Sequence, residues 1–82
     1  MLDYEALGMK GQTVYTVDGK RLKAIRCQRR LTQHAVEREA GLAPNLVGPL
    51  EREGGNPLID TRWRIAAVLN VSPTSLVKKE TT

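Results

Sequence analysis

The chain is poor in the residues that build reactive centres, with one cysteine, Cys27, and one histidine, His34, in 82 residues. A single cysteine excludes an internal disulfide, and no second His or Cys is present to complete a zinc site. A glycine-rich phosphate loop and a nucleophile elbow are both missing, and Gly54-Gly55 reads as a turn. An enzyme is not expected from such a set, nor a metal or a cofactor. Long apolar runs are lacking too. Nothing approaches the roughly 20 apolar residues of a membrane span, and the first residues have no apolar segment of a secretory signal. The expectation is a cytoplasmic protein with no membrane partner.

What the chain does have is unevenly placed positive charge. The net charge is +4, and Lys20, Arg21, Lys23, Arg26, Arg29 and Arg30 fall within eleven residues. Such a stripe attracts polyanions, although solvated helix faces are often rich in Lys and Arg as well, so the stripe alone does not decide for nucleic acid. The length suits one small domain, which buries only about 60 to 65% of its unfolded surface and has room for a compact core but not for a substrate cleft.

Residues 1–12 contain Gly8 and Gly11 and no sustained period, and read as an arm with a short turn of helix around Tyr4 to Leu7. Thr13-Val14-Tyr15-Thr16-Val17 is β-branched and aromatic, a short strand by propensity. A lone strand has unpaired backbone groups. Pairing with the same strand of a second molecule would satisfy them, which makes Val14, Tyr15 and Val17 dimer candidates; an extended arm bonded to its own domain or to water is the other reading.

Helical signals follow. Asp18 caps a first helix ending near Arg29 or Arg30, with Val17 and Leu22 stapled across the cap. Cys27 on that helix is expected to be partly buried. Thr32 caps a second helix, with Leu31 and Val36 repeating the staple, Val36 and Ala40 on its apolar face and Gly41 as its left-handed stop. Leu42 then enters the core. Val47 and Leu50 turn one face of a third helix inward and leave the other free. Residues 53–57 form a loop, and a fourth helix runs from about Asp60 to Leu69 with Ile65, Ala66 and Leu69 inward and Asn70 as its stop. Trp63 is expected in the core. Ser72-Pro73 opens a short fifth helix, and residues 78–82 are expected to fray.

Two helices joined at Gly41, in this order and spacing, resemble the Cro and phage-repressor type of helix-turn-helix domain, also called XRE-like. The residues carrying the resemblance are Leu22-Lys23-Ala24-Ile25-Arg26, Leu31-Thr32-Gln33, Ala40-Gly41-Leu42, Leu50-Glu51-Arg52, Asn56-Pro57 and Ile65 to Ser72. Each string is short, and their joint order is specific. The resemblance implies an all-α, five-helix lambda-repressor-like domain over residues 18–77. Its helix-turn-helix core is 32–51, an arm with a possible strand at 13–17 precedes it, and a tail at 78–82 follows.

The resemblance also implies double-stranded DNA as the partner, a transcriptional regulator with repression favoured over activation, and a homodimer on half-sites one helical turn apart. Gln33 matches a family glutamine that bonds a backbone phosphate, with Thr32 and His34 beside it, although His34 also reads as an ordinary exposed residue. Arg52 matches a phosphate-contacting position, and Lys20, Lys23 and Arg29 are further phosphate candidates. Arg26 and Glu51 match a structural ion pair.

The base-reading positions depart from the family. They correspond to Pro44, Asn45, Leu46, Gly48 and Pro49, of which only Asn45 can both donate and accept. Pro44 suits a first helical turn. Pro49, five residues later, is expected to remove a hydrogen bond and collide with the Asn45 carbonyl at about 3 kcal/mol, so the third helix is expected to be kinked or short, with Gly48 absorbing strain. Two functions fit this departure. One is DNA binding clamped on phosphates and tuned by shape. The other is a protein-interaction adaptor or antitoxin-like subunit that uses Pro44, Leu46 and Pro49 as a small apolar surface.

Overall fold

The computed structural model describes residues 13–81; the expected turn around Tyr4 to Leu7 lies outside them. Short acceptor side chains start the first two helices, because each satisfies an amide that the first turn leaves unpaired. Asp18 Oδ1 accepts the Arg21 N–H at 3.2 Å and opens α1, Gly19–Gln28. Thr32 Oγ1 accepts the Ala35 N–H at 3.0 Å and opens α2, Gln33–Ala40. Gly41 ends α2 at φ 68°, a left-handed backbone that costs nothing without a Cβ. Then come α3, Val47–Glu53, and α4, Ile59–Leu69, which Asn70 closes at φ 56°.

The apolar periods converge on one core. Val17, Leu22, Val36, Val47, Leu50, Ile65, Ala66, Leu69 and Leu76 are buried together, and Ile25, Leu31 and Leu42 pack against them half-buried. Both staples are therefore in place, and α2 and α3 are held as a pair by α1 on one side and α4 on the other.

Several expectations are corrected. Instead of a fifth α-helix there is a single 3₁₀ turn, Pro73–Leu76, which leads straight into extended backbone at Val77. Pro73 occupies its first position, but the Ser72 hydroxyl meets Thr74 Oγ1 at 2.8 Å rather than capping an amide.

The tail is not frayed as far as Thr81. Val77–Thr81 is a strand, β2, antiparallel to β1, Thr13–Val17, in the register Thr13↔Thr81 through Tyr15↔Lys79 to Val17↔Val77. The strand at 13–17 is thus not alone, and its own chain meets one of its edges. The core fixes this pairing: Val17 and Leu76 are buried, and the Asp18 N–H donates to the Leu76 carbonyl at 2.8 Å, which brings the two segments side by side. The fold is mostly helical with a two-stranded ribbon rather than all-α.

Trp63 is not in the core but 60% exposed. It precedes buried Ile65 by two residues, about 200° around the helix, so it projects from the opposite side. Cys27 is exposed as well, five residues and about 140° away from buried Leu22.

Candidate nucleic-acid interface

The site is organised around a buried carboxylate. Glu51, near the end of α3, has 2% of its side chain exposed, and burial of an ionised group is costly unless its lone pairs are filled. Arg26 of α1 fills them with two donors, Nε to Oε2 at 2.5 Å and Nη2 to Oε1 at 3.0 Å. A third Arg26 donor, Nη1, reaches the Leu31 carbonyl at 2.8 Å, the residue just before the α2 cap. The hydrogen bond to Glu51 pushes the Arg26 guanidinium further above its already high value, so it stays charged. The expected ion pair of Arg26 with Glu51 is present, and it ties three segments together.

Gln33 joins the same centre. Its Nε2 donates to Glu51 Oε1 at 3.0 Å, which fixes a side chain that would otherwise sample several rotamers at the start of α2. Its Oε1 lies over Gly48, as does the Arg52 guanidinium: a Cβ added at Gly48 would be 3.3 Å from Gln33 Oε1 and from Arg52 Nη1. The missing side chain at Gly48 leaves room for both over the same spot. Thr32 is exposed with its hydroxyl oxygen accepting the cap bond, and His34 is exposed with Nδ1 3.1 Å from Glu37 Oε1. The structure thus gathers Thr32, Gln33, His34 and Arg52 at the α2 N-terminus, where free amides and the helix dipole favour an anion.

The α1 cations are less concentrated. Arg29 caps the C-terminus of α1, three residues after Arg26 and on the same side, whereas helical periodicity turns Lys20 about 160° from Leu22 and leaves Lys23 between. All three are exposed.

The base-reading segment is arranged differently from the expectation. Pro44, Asn45 and Leu46 do not lie on the outer face of α3 but form the turn before it, with Asn45 at φ 64°. Pro44, Asn45 and Pro49 are exposed, Leu46 is half-buried, and Gly48 is buried rather than outward. Because α3 starts at Val47, Pro49 is its third residue, where the N–H has no intrahelical partner to lose and the Asn45 carbonyl is outside the helix. The helix is short, as expected, because it begins late; the kink is not there. Gly48 still matters to Pro49, since a residue before proline resists the helical region when it carries a Cβ.

One functional residue was missed. Glu37 reads in the sequence as a polar position between Val36 and Ala40, yet only 3% of it is exposed. Its Oε2 accepts the Val47 N–H at 2.8 Å, and that bond, helped by the Asn45 and Leu46 amides and by His34, holds the carboxyl below the usual range against the opposing effect of burial. No local pattern signals it, because its partners lie eight to ten residues further on.

The sequence profile of the helix-turn-helix family matches residues 22–76, more than half of the chain. An immunity repressor protein of Bacillus phage phi105 is 35% identical over 63 residues, which are 77% of this chain and 44% of the relative. The chain therefore spans less than half the length of that curated relative. Among solved structures, the restriction-modification controller protein C.AhdI from Aeromonas hydrophila superposes with a TM-score of 0.64 at 28% identity, covering 70% of this chain and 86% of its own. No helix among the described residues is long and apolar enough to cross a membrane. With two helices turning at Gly41 and tied through Arg26 and Glu51, and with this match along the chain, the protein belongs to the Cro and phage-repressor type, or XRE-like, helix-turn-helix family.

Proposed function

We propose that the chain is a DNA-binding transcriptional regulator, a repressor by analogy with the phage relative, that sets α2 and α3 into the major groove of duplex DNA. The observation that carries this reading is the convergence of Gln33 and Arg52 over Gly48, with Gln33 held by the buried Glu51–Arg26 pair. A phosphate at the α2 N-terminus meets those two side chains, the Thr32 hydroxyl, His34 and free helix amides. Arg29, Lys23 and Lys20 extend the positive surface along α1. Asn45, exposed on the turn, is the base reader, with apolar contact from Pro44, Pro49 and the rim of Leu46 toward thymine methyl groups. One polar reader specifies little by itself, so deformability of the site supplies much of the selectivity.

The adaptor reading loses ground at this face. Leu46 is half-buried, which leaves the prolines too small an apolar area for a stable protein interface. Large exposed apolar side chains lie elsewhere, on and beside α4: Leu58, Ile59 and Trp63 are 78%, 64% and 60% exposed, and Tyr15 is 53% exposed. Tyr15, Ile59, Trp63, Pro73 and Val77 line a groove of about 630 Å³ between α4 and the ribbon. A second copy seated there makes the two-fold dimer that half-sites about 34 Å apart require. Tyr15 keeps its place as a dimer candidate, Val17 does not because it is buried in its own core, and Val14 lies in β1 opposite Glu80.

Selection from random duplexes followed by a salt titration tests the reading. Each phosphate contact contributes about 0.9 to the log–log slope, so Arg52→Ala should weaken every duplex alike and lower the slope by about one. A parent that binds no duplex at low salt, or an Arg52→Ala variant with an unchanged slope, would overturn it.

A further inference from the structure

Helix α3 starts without a cap of its own. Leu46 at its N-cap position makes no side-chain bond, and Ala43 and Pro44 before it have no acceptor to offer. The acceptor comes from the preceding helix. Glu37, nearly fully buried, sends its carboxylate across the turn to accept the Val47 N–H at 2.8 Å. Its other oxygen is taken by His34 Nδ1 at 3.1 Å.

We propose that Glu37 is a specificity-positioning residue: by capping α3 from α2, its carboxylate fixes the Pro44–Leu46 turn and with it the outward pose of Asn45. The role in specificity rests on the DNA-binding reading above, whereas the cap is the Glu37–Val47 bond itself. Asn45 sits at φ 64°, a backbone region sparsely populated by residues with a Cβ and kept only when surroundings hold it there. It stands two residues before Val47, on the turn whose end that bond pins, so loss of the acceptor frees both the helix start and the residue that reads the base. Of the phosphate-facing groups His34 alone bonds to Glu37, and the principal ones are held separately. Gln33 is fixed by Glu51 and Arg26, and Thr32 by its own cap bond, none of which involves Glu37. Removal of the Glu37 charge therefore separates base preference from general affinity.

The test is Glu37→Gln, alone and with Asn45→Ala, bound to the selected duplex and to a scrambled duplex of equal length, with amide exchange of the free protein followed by NMR. The selected duplex should bind roughly tenfold more weakly, about the size of one bidentate base contact, while the scrambled duplex changes less than about twofold. In the Asn45→Ala background the further loss should vanish. Exchange at Leu46 and Val47 should accelerate by about tenfold or more while the unfolding transition stays cooperative. Equal loss on both duplexes, losses that add with Asn45→Ala, or unchanged exchange at residues 45–47 would each overturn the proposal. Should Glu37→Gln not fold, Glu37→Asp, which withdraws the carboxylate by about one bond length, is read the same way. A parent without any duplex preference sinks the specificity role together with the DNA reading, and unchanged exchange sinks the cap whatever the DNA result.

Discussion

At the scale of single residues, the Arg26–Glu51 pair shows why a buried ion pair is an organiser more than a source of stability. Desolvation of two charges offsets most of their attraction, so the net gain of the intact pair is small. The loss of one member is another matter. Arg26→Ala leaves the Glu51 carboxylate buried with Gln33 as its remaining partner, and should lower the unfolding free energy by about 3 to 5 kcal/mol in a urea titration. A double replacement of Arg26 and Glu51 by Met and Leu should lose distinctly less, because no uncompensated charge remains. The same substitutions should impair DNA binding beyond their effect on stability, since Arg26 also holds the Leu31 carbonyl ahead of the α2 cap.

At the scale of elements, α3 is the informative one. Its start at Val47 makes Pro49 a first-turn residue, so Pro49→Ala should change stability by less than about 1 kcal/mol instead of relieving the roughly 3 kcal/mol of an interior proline. Thermal unfolding of the variant distinguishes the two. The external cap adds a pH dependence. Glu37 is held below the ordinary carboxylate range, first by the Val47 amide, so its folded pKa lies beneath its unfolded value of about 4.3. The stabilisation is complete above that unfolded value and is lost as the pH falls through the folded one. The melting temperature should therefore drop on acidification below about pH 4.3, with a smaller slope for Glu37→Gln than for the parent.

At the scale of the molecule, the uneven distribution of exposed apolar area sets the expected assembly. Ile59, Trp63 and Tyr15 gather on the face of α4 and the ribbon, away from the inward residues Ile65, Ala66 and Leu69. A stable interface needs about 800 Å² per partner with apolar anchors at its centre, and Trp63 is the natural anchor. Trp63→Asp should shift sedimentation at micromolar concentration toward monomer without lowering the unfolding transition of the monomer, as the side chain contributes little to its own core. It should also weaken binding to a two-half-site duplex far more than to a single half-site, because linked sites raise the effective concentration of the second contact.

The parts of the fold legible in the sequence were those decided within a few residues. Asp18 and Thr32 cap amides three positions on, Gly41 and Asn70 supply left-handed stops, and the periods of Val36, Ala40, Val47, Leu50, Ile65 and Leu69 mark the buried faces. The pairing of Arg26 with Glu51 was legible only through family resemblance, twenty-five residues apart. Tertiary structure alone decided the rest. Residues 77–81 become a strand because the core delivers Leu76 beside Asp18, and no local propensity announces a partner some sixty residues away. Trp63 faces outward because Ile65 and Leu69 already claim the inner side of α4. The start of α3 is set by an acceptor on α2 rather than by its own residues, since a helix begins wherever its first amides find partners, and those partners are fixed by packing.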